Sequence, residues 1–141
     1  MTDYSKIDFS PLIDAAEGEV VTHSFVHDVA LPSGGTLALI TLDNGADHTR
    51  PNTLGPVTLQ ELEGVLDAQS ERAARGEIRA VAITGKQFIF AAGADLSKVS
   101  SLATEQNARL MAQYGHRVLG KLRTLGVPSF AFVNGLALGG A

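Results

Sequence analysis

The sequence predicts an α/β fold organised around a mostly parallel sheet. Short β-branched runs alternate with longer stretches whose apolar residues recur every three to four positions. The order is strand, helix, strand, helix, strand, and that order calls for right-handed crossovers between parallel neighbours. Two corners rich in glycine and alanine, 91–95 and 135–141, each follow a short apolar run read as a buried strand.

Residues 1–19 form an acidic lead-in without firm periodicity, expected to be irregular. Residues 20–31, "VVTHSFVHDVAL", partly alternate apolar with polar, as a strand does. "PSGG" supplies a turn and 36–42, "TLALITL", alternates again, so a hairpin is predicted. The polar loop 43–52, "DNGADHTRPN", is dense in turn formers. A helix follows, with Thr58 and Glu61 at capping-box spacing and Leu59, Leu62, Val65, Leu66 and Gln69 on one face. Arg75 and Gly76 give it a basic last turn and a glycine stop. Residues 78–85, "IRAVAITG", read as a buried strand, and the first corner follows "KQFIF". A long helix is expected over 104–125, with Met111, Tyr114, Val118, Leu122 and Leu125 on its core face. "GVP" closes it, and 129–134, "SFAFVN", is predicted as the next buried strand, leading into the terminal corner.

Composition narrows the function. With no cysteine, a disulfide framework and thiolate metal sites are excluded. A net charge of −4 disfavours nucleic acid or an anionic membrane as the main partner. The amino terminus lacks the basic start and apolar centre of a signal peptide, and no apolar stretch approaches the roughly 20 residues that span a bilayer. A soluble, cytoplasmic chain without membrane insertion is expected. His23, His27, His48 and His116 match no metal-site spacing. Ser97, Ser100 and Ser101 lack the context of a nucleophile elbow and read as helix-entry residues.

The corners carry almost no side-chain chemistry; they offer backbone. Glycine lets a ligand approach peptide N–H groups closely, and the first N–H groups of a helix lack internal partners. Two corners on neighbouring strands can therefore aim one N–H each at a single oxygen, each donor being worth about 2.7–4 kcal/mol to a developing oxyanion. Such corners also serve only to let a helix pack close to a sheet. A phosphate cradle fits neither: "GLALGGA" has no Lys-Ser/Thr and misses the G-x-G-x-x-G spacing.

"FIFAAGADLSKV" at 88–99 resembles the first oxyanion segment of the enoyl-CoA hydratase/isomerase (crotonase) superfamily, and "LRTLGVPSFAFVNGLALGGA" at 122–141 resembles the second. "RPNTL" at 50–54 is similar to the family's loop before its first long helix. The similarity covers 35–141, which divides the chain into a lead-in with the first hairpin strand, 1–34, and the amino-terminal part of an acyl-CoA-binding domain, 35–141.

The resemblance implies a repeated ββα spiral, incomplete at its C-terminal end, and an acyl-CoA thioester as substrate with no separate cofactor or metal. The catalytic amides would be Ala94 and Gly140. Ala91, Ala92, Gly93, Leu96 and Gly139 would shape the approach, with Asp95 capping the turn that orients Ala94. Thr49 and Arg50 fall where members line the coenzyme A pocket, Arg50 being either a phosphate partner or a solvated cation. Lys86 and Lys98, flanking the first corner, carry the same two readings. The family's hydration carboxylates follow the second corner, so the 141 residues read as an inactive part of a longer enzyme. The long lead-in is compatible with the hydratase module of a multifunctional fatty-acid oxidation protein carrying a 3-hydroxyacyl-CoA dehydrogenase domain. Assembly as trimers, or within such a complex, is implied for the intact protein. A non-catalytic acyl-CoA-binding or assembly subunit remains the alternative, and a Rossmann-type nucleotide binder is disfavoured by the glycine spacing.

Overall fold

The computed structural model describes residues 3–95 and 104–141. Among them the elements run α1 (Ser10–Asp14), β1 (His23–Ala30), β2 (Thr36–Asp43), α2 (Pro56–Ala74), β3 (Ala80–Gly85), β4 (Ile89–Ala91), α3 (Glu105–Gly120), a 3-10 turn (Lys121–Arg123), β5 (Ser129–Phe132) and β6 (Leu136–Ala137). Four strands form one sheet in the order β1-β2-β3-β5, and β4 pairs with β6 in a second. Only the β1–β2 hairpin is antiparallel; β2–β3, β3–β5 and β4–β6 are parallel. The chain is thus α/β with a mostly parallel sheet. No described helix is long and apolar enough to cross a membrane.

The hairpin closes through Gly34 and Gly35, at φ of +87° and +92°, which a side chain would strain. Leu59, Leu62 and Leu66 of α2 share one core with Ala38, Ile40 and Leu42 of β2 and Val81 and Ile83 of β3. Tyr114 and Val118 of α3 join the same core. The predicted helix over 104–125 divides: Thr104 caps α3 by accepting the Asn107 N–H at 3.1 Å, and after Gly120 the coil tightens into the 3-10 turn.

Three expectations are corrected. The lead-in is not irregular throughout: it contains α1 and buries Phe9 and Leu12. Phe9 stacks on Tyr114 with ring centres 4.6 Å apart, and the Arg117 guanidinium lies 5.6 Å from the Phe9 ring centre. Burial first, then the charge of Glu63 and the hydrogen bond to it, push the Tyr114 phenol up to about 12. Second, the Thr58–Glu61 capping box does not form. Gly55 is the N-cap, Pro56 takes the first position, and the carboxylate of Glu19 accepts the N–H groups of Val57 (2.8 Å) and Thr58 (3.0 Å). Glu61 instead accepts the Ser24 N–H at 2.8 Å and sits 2.9 Å from His23 Nδ1. A full carboxylate from the lead-in satisfies two orphan donors of α2 at once, and so outcompetes the local pair. Third, β5 is exposed. Phe130 and Phe132 keep 51% and 52% of their surface, because β5 is the outer strand of its sheet and no described element covers it.

Candidate functional site

The site is built by pinning the end of β5 to the end of β3. Asn134 Nδ2 donates to the carbonyls of Gly85 (3.0 Å) and Lys86 (2.7 Å), while its Oδ1 accepts the Gly85 N–H at 3.0 Å and the Thr84 hydroxyl at 3.2 Å. Gly135 then packs on the Phe88 carbonyl, where a Cβ would come within 2.2 Å of the oxygen. Its φ of +126° and this contact both require glycine. The Leu136 N–H donates to that same carbonyl at 3.1 Å, which starts the β4–β6 pairing.

That pairing carries both chains into their corners side by side. Leu138 N–H donates to the Ala91 carbonyl at 3.1 Å, and Gly93, at φ +72°, lies against the second corner. A Cβ on Gly93 would fall 2.8 Å from the Gly140 nitrogen and 3.0 Å from the Leu138 oxygen. Gly139, at φ +63°, turns the chain so that the Ala141 N–H reaches the Leu138 carbonyl at 3.3 Å. On its other side the first corner pairs with 52–54: Ala92 N–H donates to Asn52, and Leu54 N–H to Gly93, both at 2.8 Å. With those groups engaged, the N–H groups of Ala94 and Gly140 donate to no acceptor among the described residues. Both residues are exposed.

The remaining predicted residues are divided. Ala92, Gly93, Asp95 and Gly139 gather at the paired corners, whereas Ala91 is buried in the core cluster. Leu96, Lys98, Ser97, Ser100 and Ser101 lie outside the described residues. Thr49 and Arg50 are exposed on the loop between β2 and α2. The Thr49 hydroxyl and N–H hold the Asp47 carboxyl below its usual range. Lys86, read above as a flanking cation, is only 8% exposed. Its ammonium donates to Asn44 Oδ1 and to the carbonyls of Ala46 (2.8 Å), Asp47 (3.0 Å) and Arg50 (2.8 Å), so it organises the loop from inside.

Sequence reasoning named this lysine but missed its buried role, and it gave Asn52 and Asn134 no role. Asn52 is fully buried, its Nδ2 donating to the carbonyls of Leu42 (2.8 Å) and Phe90 (3.1 Å) and its Oδ1 accepting the Asn44 N–H at 3.0 Å. The available signal was positional: each asparagine stands where a loop meets an apolar run, and each reaches backbone groups at the end of another strand.

The chain matches the family described as enoyl-CoA hydratase/isomerase over residues 33–141. It is 33% identical over 105 residues to the fatty acid oxidation complex subunit alpha of Shewanella amazonensis, covering 74% of this chain and 14% of that protein. The same subunit of Shewanella baltica is 34% identical over 105 residues with the same coverage. The chain therefore spans about one seventh of the length of these curated relatives. Among solved structures, enoyl-CoA hydratase from Bacillus anthracis superposes with a TM-score of 0.69 at 28% identity, over 84% of this chain and 42% of that one. DspI from Pseudomonas aeruginosa gives 0.67 at 28% identity, over 89% and 47%.

Proposed function

The chain belongs to the enoyl-CoA hydratase/isomerase family, and from that premise we propose that Ala94 and Gly140 offer their N–H groups to the thioester oxygen of an acyl-CoA. One observation carries the reading: the two corners are in backbone contact, and these two amides lack acceptors among the described residues. Peptide dipoles held by Asn52, Asn134 and the β4–β6 pairing need little reorganisation as charge builds on the oxygen, which is the condition for strong electrostatic stabilisation. Gly93 and Gly139 keep the approach free of side chains, and Asp95 orients the Ala94 turn. Arg50, exposed beside Thr49, supplies a cation for a coenzyme A phosphate.

Proton transfer is a separate requirement. Glu19 is committed to the start of α2, Glu61 to Ser24 and His23, and Glu63 to Arg117 and Tyr114. In this reading Asp95 orients the turn and takes no acid–base role, and the 141 residues by themselves are expected to bind and polarise a thioester without hydrating it. By likeness to its relatives, the chain acts within a fatty-acid oxidation assembly.

The test is 13C NMR of an acyl-CoA labelled at the thioester carbonyl. Binding is expected to shift that resonance downfield, and crotonyl-CoA turnover to be negligible. Tight binding with an unshifted carbonyl would refute the paired-amide role, and ordinary hydratase turnover would refute the separation of polarisation from proton transfer.

A further inference from the structure

We propose that the lead-in forms one wall of a subsite for the acyl tail, so that residues preceding β1 help set chain-length preference. This rests on the acyl-CoA reading above and extends it to a part of the chain outside the 33–141 family match. Ala15 and Ala16 line a cleft with Leu54, Pro56, Met111 and Ala94, and Glu17, Glu19 and Asp95 also border it. A thioester oxygen held at the Ala94 N–H thus places the alkyl tail next to an apolar recess.

The wall is fixed at both ends. Upstream, Phe9 and Leu12 are buried in the core, and the N–H groups of Ala15 (to Pro11, 3.2 Å) and Ala16 (to Ile13, 3.1 Å) close α1. Downstream, Glu19 donates its N–H to the Ala16 carbonyl at 3.1 Å, and its carboxylate is tied to Val57 and Thr58. With the Glu19 carboxylate engaged by α2 and Glu17 exposed to solvent, the alanines, Leu54, Pro56 and Met111 leave an apolar stretch of wall that suits a hydrocarbon. Two alanines on this wall leave space that larger side chains would fill.

Each methylene entering such a recess adds about fourfold in affinity. Calorimetry of the full chain with acetyl-, butyryl-, hexanoyl- and octanoyl-CoA tests the proposal. The octanoyl-to-acetyl affinity ratio is expected to exceed about tenfold, which two buried methylenes suffice to give. Ala16→Leu, which fills the recess, is expected to bring that ratio to within about twofold of unity, since few methylenes then enter. Ala15→Asp, at an exposed position that leaves the core intact, is expected to lower it in the same direction. A wild-type ratio near one, or a ratio unchanged in folded Ala16→Leu and Ala15→Asp, would overturn the subsite while leaving the paired amides standing. Failure of every thioester to bind would overturn both readings.

Discussion

Asn52→Leu removes three hydrogen bonds from a position closed to water. Leucine keeps the branched outline of asparagine but is the larger residue, so no cavity opens and the cost comes from the partners left behind and from fitting the added volume. Two partners lose heavily: the Phe90 carbonyl, at 3.1 Å, and the Asn44 N–H, at 3.0 Å. The third, the Leu42 carbonyl, also accepts the Lys86 N–H at 2.9 Å and so keeps a donor. At about 1–3 kcal/mol for each buried group left unsatisfied, and with some return from the added apolar surface, the net loss is about 2–4 kcal/mol. For a chain of this size that lowers the melting temperature by about 6–12 °C. Urea midpoints and thermal melts measure it directly, and amide exchange should quicken at Ala92, whose N–H donates to the Asn52 carbonyl. Asn52→Asp, which turns an anionic oxygen toward two carbonyls, should be worse than leucine. A loss below about 0.5 kcal/mol for Asn52→Leu would show that the corners are held by something other than these bonds.

Three further outcomes follow from the geometry. Glu19→Ala should cost about 1–2 kcal/mol and quicken exchange at Val57 and Thr58, while Glu61→Ala leaves those two amides protected and exposes Ser24; the reverse pattern would restore the capping box. Gly93→Ala forces a side chain to φ +72° against two backbone atoms, and should cost at least about 2 kcal/mol and weaken acyl-CoA binding, as melts and calorimetry would show; wild-type values in both would contradict the packing of the corners. Tyr114, with its folded-state pKa raised from 10.0 to about 12, favours the folded state most fully below pH 10.0 and loses that contribution as pH rises toward about 12. Urea midpoints across that window should therefore fall more steeply in the wild type than in Tyr114→Phe, and parallel curves would refute the linkage.

What the sequence made legible is what neighbours along the chain decide. The stripes of α2 and α3, the hairpin turn at Gly34–Gly35 and the glycine stop at Gly76 all follow from residues a few positions apart. The two corners were readable for the same reason: glycines at 93, 135 and 139 adopt positive φ. The misses have distant partners. Glu19 caps a helix whose first N–H groups lie 38 and 39 residues on, and Asn134 reaches back 49 residues to Gly85. An i,i+3 motif such as Thr58–Glu61 is visible in a window; the tertiary carboxylate that displaces it is not. β5 failed differently. "SFAF" has the composition of a buried strand, and composition does not record whether anything lies across it.

Lys86 has a consequence for the chemistry the site is suited to. Thioesters acylate free amines, so under the proposed function an exposed lysine this near the first corner would be open to acylation. Wrapped by three carbonyls and the Asn44 amide, this amine directs its protons inward and is only 8% exposed. The bonds that shape the loop thereby also bury the nitrogen, and both effects end together if the loop opens.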